Sequence, residues 1–339
     1  MRWPLALGLA LLLGACSLTW AQAPLPQGQV AARVQSPALE QWLMRLHAAS
    51  RGRAYSGTFV VSTGQFMSSS RIWHVCDGQQ QIERVEALTG EPRSTYRRND
   101  QVVTFWPGSR QAIQERRESL GLFPDLLSRA DSSVAQFYQL KVIGRERVAG
   151  LVSEVAQLTP VDDMRFGFRI WTELQTGLVV KLQTLDHRQV VLEQAAFSEL
   201  QLNAPVQMAK LVAQMENTQG YQVHRAPLLG TTAEQEGWWL NATAPGFKAM
   251  SCNRRSAQNL PGAGVSTLQC VFSDGLASVS LFIEPFDAAR HRPEQQNAAM
   301  AMGATHVLMR QLGEWWLTAV GEVPVPTLKV FVQGLERKK

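Results

Sequence analysis

Period-two alternation of apolar and polar side chains, repeated through consecutive segments with only short turns between them, constrains this chain more than any other feature. "RFGFRIW" sets Phe166, Phe168 and Ile170 on one face with Arg165 and Arg169 opposite, and "GLVVKLQTL" sets Leu178, Val180 and Leu182 against Lys181 and Gln183. Successive side chains of an extended strand point to opposite faces, so each segment reads as a strand with one apolar face. "LQTG", with Thr176-Gly177, turns the chain between the two, and "DHRQ", Asp186 to Gln189, turns it again before "VVLEQAAFSEL". Tight turns join antiparallel neighbours. "YSGTFVVSTGQFMSSSRIWH", Tyr55 to His74, has the same form: Tyr55, Gly57, Phe59 and Val61 share a face and Thr63-Gly64 makes the turn. No strand-helix-strand alternation interrupts the series, so an antiparallel sheet with one buried and one wet face is expected.

Helical periodicity is confined to a few places. Ser36 followed by Pro37 is a cap and first-turn signal, and Leu39, Trp42, Leu43 and Leu46 then repeat at helical spacing. Between Val103 and Ser133 the pattern loosens, which suggests a long connection with short helical pieces. After Asn203, "VQMAKLVAQMENTQG" is helix-like, and "YQVHRAPLLGTTAEQEG", Tyr221 to Gly237, has no sustained period. Beyond it "WWLNATAPGFKAMSC", "TLQCVFSDGLASVSLFIEP" and "EWWLTAVGEV" are strand-like, whereas "PEQQNAAMAMGATHVLMRQL" and "TLKVFVQGLERKK" are helix-like. A chain of 339 residues exceeds the usual size of one core. The organisation expected is a first domain over 37–203, a linker over 204–236 and a smaller α+β domain over 237–337.

"MRWPLALGLALLLGACSLTWAQA" places Arg2 ahead of an apolar run and then small residues, the layout of an export signal with cleavage after Ala21, so residues 1–21 are expected to be removed. "LGAC", Leu13 to Cys16, also resembles a lipobox; acylation of Cys16 would anchor the protein instead of releasing it. Cys76, Cys252 and Cys270 remain in the exported chain. Cys252 and Cys270 sit in short strand-like runs, and either an oxidising compartment joins them, adding about 3 kcal/mol, or both are reduced buried thiols. The formal charge is +5. For an exported protein this mild bias does not mean nucleic acid; the acidic partners to consider are lipid or lipopolysaccharide phosphates and an acidic protein segment.

Reactive constellations are hard to find. "GVSTL" at Gly264 lacks the closing glycine of a nucleophile elbow, and no Walker or G-x-G-x-x-G sequence occurs. The six histidines lack metal-ligand spacing, so no metal and no cofactor is expected. Asp162-Asp163 reads as a solvated turn, because turn neighbours point apart while acid/base work needs convergent carboxyls. Arg97 and Arg98, in "YRR", are the least locally neutralised basic pair and a candidate for facing an anion. Aromatics gather on the expected strands. Most read as core, but a curved sheet capped by the Trp42 helix would hold an apolar hollow, for which Trp42, Phe59, Trp73, Phe105, Phe166, Phe168 and Trp171 are the candidate lining.

The succession "YSGTFVV", "SSSRIWHV" and "IERVEALTGEPRSTYRRNDQVVTFWP", followed by "RFGFRIWTELQTGLVVKLQTLDHRQVVLEQAAFSEL", resembles the amino-terminal domain of the MucB/RseB family. "FSDGLASVSLFIEP" and "TAVGEVPVPTLKVFVQGL" are similar to that family's carboxy-terminal domain. The resemblance implies an α+β protein: a lipoprotein-carrier-like half-open antiparallel β-barrel with a helical cap, plus a smaller α+β domain. It implies a non-enzymatic periplasmic regulator that binds the periplasmic domain of an anti-sigma factor of the RseA/MucA type. That regulator protects its partner from site-one proteolysis and releases it on sensing lipid or lipopolysaccharide, so restraining sigma-E. A periplasmic lipid or lipoprotein carrier is the alternative, and self-association into a homo-oligomer stays open. Trp238 and Trp239 are candidate partner anchors because exposed aromatics serve that role at interfaces.

Overall fold

Alternating burial along the first hairpin shows how the main sheet is made. In β1 (Tyr55–Thr63), Tyr55, Gly57 and Phe59 are buried and the residues between them half-buried; the strand pairs with β2 (Phe66–Cys76) across Thr63-Gly64. The computed structural model describes residues 37–116, 123–124, 132–225, 228–255, 266–292, 294 and 296–338. The expected export signal and Cys16 lie outside the described residues. Further strands of the sheet are β3 (Gln81–Ala87), β4 (Ser94–Arg98), β5 (Gln101–Trp106), β6 (Gln111–Arg116), β7 (Tyr138–Val148) and β8 (Leu151–Pro160). It is completed by β9 (Gly167–Glu173), β10 (Val179–Leu185), β11 (Val191–Leu202) and β12 (Gln222–Arg225). The order is β12-β6-β5-β4-β3-β2-β1-β11-β10-β9-β8-β7, with β12 on β6 the one parallel pairing in this sheet. The ends do not pair with each other, so the sheet is open and not a closed barrel.

Two helices cover this sheet on different faces. Helix α1 (Pro37–Arg51) buries Leu39, Trp42, Leu43 and Leu46 in one core with Phe59, Ile72, Val85, Phe168, Trp171 and Phe197. Burial of each such side chain contributes roughly 1.5–3 kcal/mol. Ile82 and Val85 lie an odd number of residues apart and therefore face opposite ways. Val85 belongs to the α1 core, whereas Ile82 packs with Tyr96, Val103, Phe105, Leu211 and Met215 beneath helix α2 (Met208–Glu216). The segment expected to be a linker thus supplies α2 and β12 to the first sheet. "QAIQER", expected within a loose connection, is strand β6; among the described residues a 3-10 turn at Ser132–Gln136 is the helical piece near that region.

The second lobe holds a seven-stranded sheet of β13 (Leu228–Thr231), β15 (Lys248–Arg255), β16 (Thr267–Ser273), β17 (Ser278–Pro285), β18 (Ala299–Met302), β19 (Thr305–Leu312) and β20 (Trp315–Gly321), ordered β13-β15-β16-β17-β20-β19-β18. A small pair, β14 (Trp238–Leu240) with β21 (Leu335–Arg337), and helix α3 (Val325–Gly334) complete it. Leu328, Phe331 and Val332 of α3 are buried against Phe272, Leu281 and Leu317. "AMAMGATHVLMRQL", expected as helix, is instead the β18–β19 hairpin. Its Met, Ala and Leu favour helix, but Gly303 at φ +61° makes a turn, and β19 pairs with β20 from His306 to Leu312. Among the described residues no helix is long and apolar enough to cross a membrane.

Candidate functional site

The candidate lipid-facing aromatics divide among three environments. Trp42, Phe59, Phe168 and Trp171 converge in the α1 core, where Phe59, Phe123 and Phe197 form a triangle with ring centroids 5.0–6.2 Å apart. Phe105 and Trp73 lie on the opposite face, in the α2 core, with Arg84 stacked 4.9 Å over Trp73. Phe166 stands apart, 5.7 Å from the His306 ring of the second lobe. A single hollow lined by all seven is therefore not what the sheet builds, because β3 to β5 carry buried residues on both faces.

Arg97 and Arg98 are already partnered. Arg97 is buried and its Nε donates to Glu83 Oε1 at 2.8 Å; Arg98 donates to Gln80 Oε1 and lies 3.6 Å from Glu216. Internal carboxylate and amide oxygens occupy the role expected of an external anion. Trp238 is 1% exposed and packs edge-on against Trp315, with the Arg337 guanidinium over both rings, so it is a core residue and not an anchor. Its neighbour Trp239 is 41% exposed, with Lys338 Nζ 4.1 Å over the ring. Cys252 and Cys270 face each other across β15 and β16 and are joined as a disulfide, leaving Cys76 as the free thiol among the described residues.

The most deeply buried ion pair among the described residues lies where the lobes meet, at residues that periodicity misassigned. Arg165, expected on a wet face, is fully buried. It follows the β8–β9 turn, lies 3.2 Å from Asp162 and 3.1 Å from the fully buried Asp274, which sits in the β16–β17 turn, and donates to the Pro245 carbonyl. The Asp274 contact has ion-pair distance without hydrogen-bond alignment. Burial pushes the Asp274 carboxyl above its ordinary range, against the backbone N–H groups of Ala277 and Leu276 and the Arg165 charge. Burial likewise raises the Tyr138 hydroxyl well above the usual tyrosine range. Asp162 thus turns from the partner expected of solvent to a partner of Arg165. Only the "SDG" turn hinted at Asp274; an arginine on an alternating strand gives no sign that another lobe will cover it.

No group of three or more metal-ligating side chains converges among the described residues. What the fold defines is a two-lobed α+β protein whose charged and aromatic residues are invested in cores and in the contact between lobes. Residues 38–215 match the MucB/RseB N-terminal domain and residues 232–336 the MucB/RseB C-terminal domain; the chain belongs to the MucB/RseB family. It is 29% identical over 300 residues, 86% of this chain and 89% of the relative, to the sigma factor AlgU regulatory protein MucB of Pseudomonas aeruginosa. It is 21% identical over 304 residues, 89% of this chain and 91% of the relative, to the sigma-E factor regulatory protein RseB of Escherichia coli K12. Its structure is similar to that of MucB in complex with MucA(peri), at 26% identity and a TM-score of 0.65 over 88% of this chain and 98% of that one. It is also similar to the Pseudomonas aeruginosa MucA/MucB complex, at 26% identity and a TM-score of 0.67 over 89% and 99%.

Proposed function

We infer that the chain is a periplasmic regulator that binds the periplasmic domain of an anti-sigma factor of the RseA/MucA type without chemical turnover. By shielding that domain from site-one proteolysis it restrains sigma-E; lipid or lipopolysaccharide reaching the first lobe loosens the hold. The observation that carries this reading is the similarity of both lobes together, over 88% of the chain, to a MucB solved with MucA(peri). Export of the chain, expected from its first residues, suits that partner. The aromatic core under α1 supports the lipid step, because one amphipathic helix lying on a sheet is a cover that can lift. Trp239, exposed beside Lys338, is the aromatic best placed to anchor a partner in the second lobe.

A protease-protection assay tests the reading. The cognate anti-sigma periplasmic domain should survive site-one cleavage when this protein is present, and lipopolysaccharide should restore cutting. Equal cutting with and without the protein would defeat the regulator reading; protection that lipopolysaccharide does not relieve would remove the lipid step alone.

A further inference from the structure

The contact between the lobes is built reciprocally. Leu276, in the β16–β17 turn of the second lobe, packs against the α1 core of the first, while Met164, in the β8–β9 turn, packs against the core of the second. Between them Arg165 meets Asp274, and Thr327 of α3 donates its hydroxyl to the Met164 carbonyl at 2.5 Å. The Arg165 guanidinium also lies 4.2 Å from the Phe137 ring centroid and 5.9 Å from that of Tyr138. The fit is close: Gly246 has φ +83°, and a Cβ there would fall 2.2 Å from the Phe137 ring.

Phe137 and Tyr138 belong equally to the first lobe's interior. Tyr138 is a member of the α1 core, 6.1 Å from Phe168, and Phe137 packs against that core. Both follow directly on the 3-10 turn, which packs on α1. An interior at protein packing density admits an added acyl chain only if a wall moves. The sheet is held by backbone ladders, Tyr138 at the start of β7 included, so α1 and the 3-10 turn are the wall that can yield, and their movement shifts the Phe137 ring, which directly follows the turn and forms one side of the Arg165 socket. A buried ion pair does not yield by degrees. Parting it leaves a charge uncompensated in apolar surroundings, so the joint is either made or hydrated.

We propose that Arg165 is the positioning residue that couples filling of the first lobe's apolar interior to release of the second lobe, through a joint that a bound acyl chain unmakes. This rests on the reading of the first lobe as lipid-responsive and names the residues that transmit the response. Coupling is reciprocal: if a bound chain opposes the joint, the joint opposes the chain by the same factor. Weakening the joint must therefore tighten lipid binding, whereas a residue that only stabilises the fold would leave lipid affinity unchanged or lower it.

The test uses the full exported chain and lauroyl lysophosphatidylglycerol below its critical micelle concentration, with calorimetric affinity and amide hydrogen exchange as readouts. Asp274→Asn keeps the Oδ1 acceptor for the Leu276 and Ala277 N–H groups and removes the charge facing Arg165. It should bind the lipid about tenfold more tightly, within the usual range of coupling between sites. The Leu276 and Ala277 amides should exchange faster while β1 and β11 exchange as before. Thr327→Val, which removes the second bond of the joint without stranding a charge, should move both readouts the same way by about threefold, as loss of one neutral hydrogen bond implies. If Asp274→Asn does not fold, Thr327→Val decides. A wild-type chain that takes up no lipid defeats the lipid-responsive reading and the coupling with it. A wild-type chain that binds lipid, with no variant binding more tightly, overturns the coupling alone.

Discussion

The two lobes bury their sheets by different means. Twelve strands in the first share two separate cores, one under α1 and one under α2 on the opposite face. Seven strands in the second share a single core closed by α3 and Trp238 and stapled by Cys252–Cys270, whose inner sulfur belongs to a residue 2% exposed. Placing apolar area on both faces of one sheet lets one helix be displaced without opening the other's core, while the second lobe's helix shares that lobe's one core, so its disruption is a disruption of the whole. The first lobe is organised to give and the second to hold.

Substitutions can break this contrast. The largest effect is expected from Phe331→Ala in α3, where the ring is fully buried against Phe272 and Phe247: about 3–5 kcal/mol from the second lobe's unfolding free energy by denaturant titration. A loss below about 1 kcal/mol would show that the second core can re-form around a void, contrary to the contrast drawn here. Replacing Cys252 and Cys270 together by Ser should cost about 2–4 kcal/mol, confined to the same transition. If the first lobe's transition moves equally, the staple does not distinguish the lobes. In α2, Leu211→Ala should cost about 2–3 kcal/mol and speed amide exchange in β4, β5 and β6 without touching α1 or β11. Equal acceleration at α1 would mean that the first lobe has one core after all.

The smallest expected effect is a pH dependence at the seam. Burial raises Glu193 of β11, against a hydrogen bond from Thr63. Surrounding protein, with the Glu193 charge added, pushes Glu322 from 4.5 up to about 6, although water still reaches its side chain. A carboxyl raised on folding binds its proton more tightly in the folded state. Stability is therefore fullest below about 4.5 and falls as pH rises through 6. Solvent screening keeps the whole effect below about 1 kcal/mol. Glu322→Gln should flatten that decline in a pH series of thermal unfolding; an unchanged slope would remove Glu322 from the seam.

Much of the first sheet was legible where a strand's apolar phase meets an identifiable core: Tyr55, Gly57 and Phe59, or Phe168 and Ile170, point inward as their spacing requires. The helix stripe of Leu39, Trp42, Leu43 and Leu46 was equally plain. Legibility failed where a second surface covered what would otherwise be a wet face. Arg165 falls in the polar phase of the "RFGFRIW" alternation, yet it lies in the connection ahead of β9, where the second lobe's Asp274 and Pro245 meet it. Trp238 and Trp239 are adjacent and chemically identical, and only strand register decides that one is core and the other exposed. The 299–312 hairpin was missed because helix-favouring side chains carry no mark of the neighbouring strand that recruits them. The joint escaped for the same reason: Arg165 and Asp274 come from turns about a hundred residues apart, Thr327 comes from a helix farther on, and no local pattern links them.

Strand β12 ends the first sheet at Arg225 and β13 begins the second at Leu228, so three peptide steps, roughly 11 Å at full stretch, tie one edge strand to the other. With so short a tether the lobes cannot drift apart as beads on a string. A parting at Arg165 therefore leaves the facing ends of β12 and β13 within that reach of each other, so the chain itself limits how far these two edges can separate.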